Sequence, residues 1–184
     1  MRASLNLHPT SRRRGVTRIE VDIARPRADA LALRYVVTGA VNDLHLPPAG
    51  AQARADDLWR RTCFEAFVRT SPGAAYFEFN FAPSTRWAAY GFSGYRAGMQ
   101  TVSEIAAPRI EVERSDTHFE LRASIDLAGA AADLGEATWG VSLCAVVEDA
   151  GGRLSYWALA HPPGKADFHH PDAFALELPR TAPR

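Results

Sequence analysis

The chain has 184 residues, 47% of them hydrophobic, and its 21 basic residues balance 21 acidic ones. A chain of this size can bury one sizeable core without disulfides or metals, so we expect a single domain. The net charge of zero argues against nucleic acids and anionic membranes as partners, because both attract basic surfaces. No apolar run reaches about 18 residues, so the sequence predicts no membrane-spanning helix.

The first 17 residues are polar and lack the apolar stretch of an export signal. We therefore expect a flexible segment over residues 1–17, one ligand-binding domain over residues 18–179 and a cytoplasmic location. The two cysteines, Cys63 and Cys144, lie in predicted strands and have neither metal-binding nor redox spacing. Because the cytosol is reducing, we expect them to be buried, free thiols.

Alternating apolar and polar residues predict about ten short strands along the chain. They lie at residues 18–23, 30–38, 87–92, 109–113, 118–126, 138–148, 154–160 and 174–178, together with the two arms of a hairpin over residues 62–83. A long loop with one helical turn is expected over residues 41–57, and the Ala-rich residues 127–134 predict one short helix. This pattern indicates an all-β fold, a jelly-roll-like β-sandwich with at most one or two short helices.

The hairpin over residues 62–83 has two strictly alternating arms. If Arg69 pairs with Tyr76 across the turn at residues 71–73, one side of the hairpin carries only apolar residues. These residues are Phe64, Ala66 and Val68 on the first arm and Phe81, Phe79 and Phe77 opposite them. That side is predicted to face the core, and Trp139, in the middle of another alternating strand, is predicted to lie there too.

The other side of the hairpin is polar and aromatic. The same pairing places Glu65 opposite Asn80 and Phe67 opposite Glu78. Carboxylates and an amide beside aromatic surface can hold a ring-shaped polar ligand by hydrogen bonds and stacking. The sequence therefore predicts a ligand site on this face.

Three stretches of the chain resemble a known family. They are DLWRRTCFEAFV at residues 57–68, YFEFNFAPSTRWAAYGFSGYRAGM at 76–99 and YWALAHPPGKADFHHPDAFALEL at 156–178. In series they resemble the bacterial DOMON-like ligand-binding domains, which share a superfamily with the family-9 carbohydrate-binding modules. The resemblance extends from about residue 18 onward, and it implies a β-sandwich that binds sugar or, in other DOMON branches, haem.

The resemblance also implies individual contacts with the terminal sugar. Trp59 and Glu65 match the spacing of a Trp and a Glu that contact the sugar in those modules, and Glu78 or Asn80 matches a polar residue on the next strand. For the second stacking aromatic, three residues are open alternatives: Trp87, Trp157 and Phe168.

The loop over residues 161–171 concentrates His161, Asp167, His169 and His170. These residue types can ligate a transition metal, but no HxH, HExxH or CxxC pattern occurs, and adjacent histidines in an extended chain point in opposite directions. We predict no metal site here. The loop either donates hydrogen bonds to the ligand or is a structural loop held by its prolines.

Glu65 and Glu78 also permit a glycosidase hypothesis, because diagonal neighbours lie roughly 7 to 8 Å apart at Cβ, a spacing compatible with acid and base chemistry. The sequence shows no apolar pocket that would raise the pKa of either group, and Asn80 and Arg69 would favour the ionised forms. Haem is a further alternative, with Met99 and His161 as axial ligands, although no CxxCH motif occurs.

The sequence thus predicts a non-catalytic module, without cofactor, that binds a small polar ligand, most readily a carbohydrate. The alternatives are a hydrolase that uses Glu65 and Glu78, and a haem-binding domain with Met99 and His161. The predicted ligand-contacting residues are Trp59, Glu65, Glu78, Asn80, Trp87, Trp157, His161, Asp167, His169 and His170.

Overall fold

The computed structural model describes residues 1–13, 15–70, 73–130 and 134–181. Within these ranges there are twelve β-strands, no α-helix and three 3-10 turns, at Val41–Asp43, Leu58–Arg60 and Pro171–Ala173. The strands are β1 (Arg2–Leu7), β2 (Val16–Arg27), β3 (Ala30–Gly39), β4 (Cys63–Thr70), β5 (Tyr76–Phe81), β6 (Trp87–Phe92), β7 (Gln100–Thr101), β8 (Arg109–Arg114), β9 (His118–Asp126), β10 (Trp139–Glu148), β11 (Leu154–Ala158) and β12 (Leu176–Leu178). No helix in the described ranges is long and apolar enough to cross a membrane.

The strands pair antiparallel in the order β7-β6-β5-β4-β10-β11-β1-β2-β3-β9-β8, and β12 pairs with β10. β1 joins two halves of this path, since it pairs with β11 on one side and β2 on the other. The path curls so that the two halves pack on each other. The all-β sandwich prediction is therefore confirmed.

Aromatic side chains hold the two halves together at the centre of the core. Phe64 of β4 stacks on Phe119 of β9, with ring centroids 5.7 Å apart, and lies 5.2 Å from the ring of Tyr35 on β3. The Tyr35 hydroxyl donates a hydrogen bond of 2.7 Å to the Glu65 carbonyl, which satisfies its buried polar group. Trp139 is fully buried, as predicted.

The predicted hairpin register is confirmed. β4 and β5 pair Arg69 with Tyr76, Glu65 with Asn80 and Phe67 with Glu78. The apolar side belongs to the main core, where Phe77 is the one partly buried member of the predicted set. Residues 71 and 72 of the predicted turn lie outside the described ranges.

The N-terminal segment differs from the prediction. Residues 1–17 were expected to be flexible, but β1 pairs with two strands and β2 begins at Val16. The alternation in β1 is short, with Leu5 as its one fully buried residue, so its pairing depends on partners that the local pattern does not reveal. β7, a two-residue strand, was also not predicted.

The predicted short helix over residues 127–134 includes residues 131–133, which lie outside the described part of the chain. The preceding residues 128–130 form a turn. Leu127 and Leu134, at the two ends of this segment, are both buried in the core.

Candidate functional site

The polar side of the hairpin is buried. Glu65 is 3% exposed, Glu78 is 4% exposed and Asn80 is completely inaccessible. These residues lie beneath a second apolar cluster that includes Phe67, Tyr76 and other residues from strands and loops on this face of the sheet. Chain segments from outside the hairpin therefore cover the face that the sequence predicted to hold a ligand.

A cavity of about 370 Å³ opens onto this face. Such a volume lies at the lower end of the roughly 300 to 1,000 Å³ usual for small-molecule sites. Its lining residues are Trp59, Glu65, Glu78, Phe92, Arg96, Met99, Val146, Tyr156, Ala166, Phe168 and His169.

The two carboxylates lie between aromatic side chains that come from opposite sides. Trp59, in the 3-10 turn before β4, lies edge-on to Tyr90 of β6 at 6.0 Å, and the Tyr90 hydroxyl donates a hydrogen bond of 2.6 Å to Asp56. Tyr156 of β11 lies 6.2 Å from Phe168. Because β6 and β11 flank β5, β4 and β10 in the strand order, the cavity has an aromatic wall on each side.

Glu65 is an unpaired buried acid. Its Oε1 atom has no hydrogen-bond partner among the described residues, and its Oε2 atom receives a weak hydrogen bond from the Cys144 thiol, at 3.8 Å. Burial and the negative charge of Glu78 raise the pKa of Glu65 well above its usual range. Glu65 thus lines the cavity and has one unused acceptor atom, which is itself buried.

Glu78 has partners within the protein. Asn80 Nδ2 donates a hydrogen bond of 2.7 Å to Glu78 Oε1, and His169 Nε2 lies 3.7 Å from Glu78 Oε2. Burial raises the pKa of Glu78 to about 7, although the Asn80 hydrogen bond and the charge of Arg96 both oppose the rise. The expectation that nothing would raise the pKa of Glu65 or Glu78 was therefore wrong.

Arg69 takes no part in the polar cluster. Its guanidinium group lies 4.6 Å from the centroid of the Phe174 ring. The cation that affects Glu78 is Arg96, which comes from the connection between β6 and β7. Arg96 Nη2 donates a hydrogen bond of 2.7 Å to Asp167, and the Tyr95 hydroxyl donates to the other oxygen of the same carboxylate.

His169 is a neutral side chain in this setting. Burial lowers the pKa of His169 to about 4, and the charge of Arg96 acts in the same direction. Its Nδ1 atom lies 2.8 Å from the Tyr76 hydroxyl. His169 can therefore present an Nε2 proton toward Glu78 and the cavity.

Trp59, Glu65, Glu78 and His169 line the cavity, as does Phe168, one of the three alternatives for the second aromatic. Asn80 does not line it, but it supports Glu78 from the same sheet face.

Trp87 and Trp157 lie elsewhere. Both are at most 4% exposed, both belong to the main core, and Trp157 donates its indole proton to Ser155. The structure does not bring either tryptophan to the cavity. Large aromatic residues pack in cores more often than they line sites, and the register places these two on the inner face.

The loop over residues 161–171 contains residues that line the cavity and residues that only hold the loop in place. Asp167 supports Arg96 without lining the cavity, and the His170 ring accepts a hydrogen bond of 3.2 Å from the Asp172 amide at the last 3-10 turn. His161 Nε2 lies 2.8 Å from the Asn6 carbonyl of β1. His161 and His170 thus have structural roles here.

The haem alternative requires Met99 and His161 to coordinate the same haem iron. Met99 lines the cavity, whereas His161 is not among its lining residues and is tied to β1. Among the described residues, no group of three or more His, Cys, Asp and Glu side chains is placed to hold a metal ion. The two cysteines are buried and free.

Several lining residues were not predicted, chiefly Phe92, Arg96 and Tyr156. Strand pairing could have indicated two of them. Phe92 pairs with Tyr76, Tyr156 pairs with Val146, and both Tyr76 and Val146 lie on the site face. Arg96 follows no strand period. It adopts a left-handed backbone conformation with φ of 52° in a glycine-rich connection, which alternation cannot predict.

No family model matches the chain, and no curated protein matches it. Solved structures with a similar fold include two that are described as carbohydrate-binding. A candidate carbohydrate-binding protein from Bacteroides uniformis aligns with a TM-score of 0.58 at 13% identity, over 94% of this chain and 83% of that one. A family-9 carbohydrate-binding module from Caldicellulosiruptor kristjanssonii, in complex with glucose, aligns with a TM-score of 0.55 at 13% identity, over 95% of this chain and 81% of that one.

Proposed function

We propose that this protein binds a carbohydrate in the cavity on the face of β4 and β5 and releases it unchanged. The observation that carries the proposal is the buried Glu65 side chain, which lines the cavity between two aromatic walls and has one carboxylate oxygen, Oε1, without a hydrogen-bond partner among the described residues. A sugar ring has apolar C–H faces and a hydroxyl edge. It can therefore stack on aromatic rings while its hydroxyls donate hydrogen bonds to carboxylates.

The fold supports the same proposal. The two proteins of similar fold named above are described as carbohydrate-binding, and the family-9 module was solved with glucose. A similar fold does not by itself imply a similar ligand, so the cavity residues carry the argument. Trp59 and Phe168 supply stacking surface, Glu65 and Glu78 accept hydrogen bonds, and His169 can donate one from Nε2.

Calorimetry with a panel of monosaccharides and oligosaccharides tests this function. We expect a sugar to bind to the parent protein, Trp59→Ala to weaken its affinity by about one to two decades, and Trp59→Phe to restore much of the loss. Circular dichroism should show that all three proteins remain folded. Parent protein that binds no sugar on the panel, or equal affinity for parent and Trp59→Ala, would refute the proposal.

Hydrolysis is the second candidate, because the pKa of Glu78 is raised to about 7 beside a second buried glutamate. A carboxylic acid that keeps its proton near neutral pH can serve as a general acid. We favour binding because both proteins of similar fold are described as binding proteins. A product assay with the parent, Glu65→Gln and Glu78→Gln separates the two: robust hydrolysis by the parent that either variant abolishes would establish an enzyme.

We also propose that the chain is related to the DOMON-like domains and works in the cytoplasm. The fold shared with a family-9 module supports the first point, and two free, buried thiols are compatible with the second. Alkylation of purified, denatured protein without reductant should label both Cys63 and Cys144. A bridge between them, detected by mass spectrometry, would contradict the cytoplasmic location.

A further inference from the structure

The cavity has a surplus of hydrogen-bond acceptors. Glu65 and Glu78 both line the cavity, and in its ionised form a carboxylate has no proton to donate. Among the lining side chains, Arg96 already donates to Asp167, and the Nδ1 atom of His169 is engaged by Tyr76. A ligand that matches this surface must therefore bring donors.

The charge at the inner face is also unbalanced. Glu65 is 3% exposed, and no ion pair to it occurs among the described residues. Among basic side chains, Glu78 has His169 at 3.7 Å, whose ring is neutral, and it also feels the charge of Arg96, which is paired with Asp167. Burying an ionised carboxylate is costly unless a cation and hydrogen bonds compensate for the lost water.

The other buried glutamates of the chain show the contrast. Glu120 is paired with Arg34 and Arg122, and Glu148 is paired with Arg61. Glu65 is the buried glutamate of the described chain that has no basic side chain against it, and it is one of the two that face a cavity. The missing cation would sit in that cavity.

The walls of the cavity suit a cation as well. An ammonium group is attracted to the face of aromatic rings, most strongly to that of Trp, and four aromatic residues line the cavity. They are Trp59, Phe92, Tyr156 and Phe168. An ammonium group also has three donors, which can satisfy acceptors on both carboxylates at once.

We propose that the ligand carries a protonated amine, and that the cavity selects amino sugars with a free amino group over neutral sugars. This inference rests on the proposed carbohydrate-binding function. The ammonium group would donate to the carboxylates of Glu65 and Glu78, while the sugar ring stacks against the aromatic wall.

The proposal predicts a bell-shaped pH dependence of affinity. The pKa of Glu65 is raised well above its usual range, and that of Glu78 is raised to about 7. Cation binding therefore strengthens as a rise in pH ionises these two carboxylates. Affinity falls again once the amine loses its proton, which for an aliphatic amine beside polar groups occurs at about pH 8. Arg96 and His169 also face Glu78, and Cys63 and Cys144 face Glu65, but neither thiol ionises in this range because burial raises both pKa values.

The experiment is calorimetry at pH 7.5 with the parent protein and glucose derivatives that differ only in one substituent. The probes are D-glucose, its 2-amino, 3-amino and 6-amino deoxy derivatives, and N-acetyl-D-glucosamine, which keeps a nitrogen substituent without the charge. We expect at least one amino derivative to bind about tenfold or more tightly than glucose, since charge-assisted hydrogen bonds are roughly twice as strong as neutral ones. N-acetylation should abolish the advantage if the 2-amino isomer is the preferred one.

Two variants test whether Glu65 causes the preference for amino sugars. Glu65→Gln keeps the shape of the side chain and removes the charge, so it should cancel the preference for the amino sugar. Glu148→Gln removes another buried carboxylate, one that lies outside the cavity lining, and should leave the preference unchanged.

Two outcomes would overturn the inference, and they differ in what they say of the function. If glucose binds and no amino derivative binds more tightly, the selectivity is wrong while carbohydrate binding stands. If none of these sugars binds, nor any other on the panel, both proposals fall.

Discussion

The hydroxyl group of Tyr76 lies 2.8 Å from Nδ1 of His169 and accepts a hydrogen bond of 3.2 Å from the Arg96 backbone amide. Since the hydroxyl oxygen accepts from Arg96, its proton is available to His169 Nδ1. That arrangement leaves the single N–H proton of the neutral imidazole on Nε2, which faces Glu78 at 3.7 Å. One hydroxyl on β5 thus orients residues from two separate covering segments of the cavity.

Tyr76→Phe should loosen both segments without unfolding the sandwich. The loss of two partly buried hydrogen bonds should cost about 1 to 2 kcal/mol of unfolding free energy and weaken ligand binding several-fold. Nitrogen NMR should show His169 as the Nε2–H tautomer in the parent and as a tautomer mixture in the variant. A variant with unchanged affinity and an unchanged tautomer would mean that the hydroxyl does not position His169.

Glu78 and His169 should give opposite pH dependences of stability. The pKa of Glu78 is raised in the folded state from 4.5 to about 7, so its contribution is present below pH 4.5 and is lost as pH rises toward 7. The pKa of His169 is lowered from 6.5 to about 4, so its contribution is present above pH 6.5 and is lost as pH falls toward 4. In the parent protein the two effects oppose each other.

Denaturant unfolding across this pH range should separate the two effects. Relative to the parent, Glu78→Gln should gain stability as pH rises from 4.5 to 7, and His169→Gln should lose stability as pH rises from 4 to 6.5, each by up to about 3 kcal/mol. Subtracting the parent's unfolding free energy at each pH cancels the contributions of the other titratable groups. Curves that run parallel to the parent would show that neither pKa is shifted by folding.

Glu65→Gln should stabilise the protein while impairing its binding function. At pH 8 the parent must bury a carboxylate that lacks a partner or keep it protonated against its usual pKa, and a neutral amide avoids that cost. We expect a gain of about 1 to 3 kcal/mol in unfolding free energy at pH 8 and a smaller gain at pH 4. Glu148→Gln, which removes an ion pair with Arg61, should bring no gain. A loss of stability in Glu65→Gln at both pH values would contradict this account.

Arg25 should be the most sensitive arginine of the chain. Its guanidinium group lies 3.8 Å from the centroid of the Trp139 ring. It also donates to five backbone carbonyls, those of Ala28, Leu134, Gly135, Ala137 and Pro179. Lysine cannot reproduce this planar set of donors, so Arg25→Lys should cost about 2 to 4 kcal/mol in denaturant unfolding.

The control for Arg25 is its exposed neighbour Arg27, which pairs with Asp126 at the surface. Arg27→Lys should change the unfolding free energy by less than about 0.5 kcal/mol. Equal effects of the two substitutions would show that the carbonyl contacts of Arg25 add little.

Alternation was sufficient to predict strands in which several large apolar residues repeat on one side. The β4–β5 register followed from it residue by residue, because a shift of one position would have exposed Phe64 and Phe79. The same reasoning could have corrected one error in the site. Trp87 pairs with Phe81, which the hairpin pattern had already assigned to the core side.

The raised pKa values of Glu65 and Glu78 could not be predicted from the alternation of apolar and polar residues. Glu65 and Glu78 have raised pKa values because Trp59, Phe168 and the Arg96 connection cover them, and these segments follow no strand period.

The pairing of β1 has a consequence for how the chain is made. Its first partner, β2, follows it closely, but its second partner, β11, comes so late that the Asn6 side chain bonds the Leu159 carbonyl across 153 positions. During synthesis β1 can pair with β2 at once, whereas its other edge stays open until the ribosome has released β11. For most of translation the nascent protein therefore carries an exposed strand edge, and that edge is where a chaperone or a neighbouring nascent chain would bind.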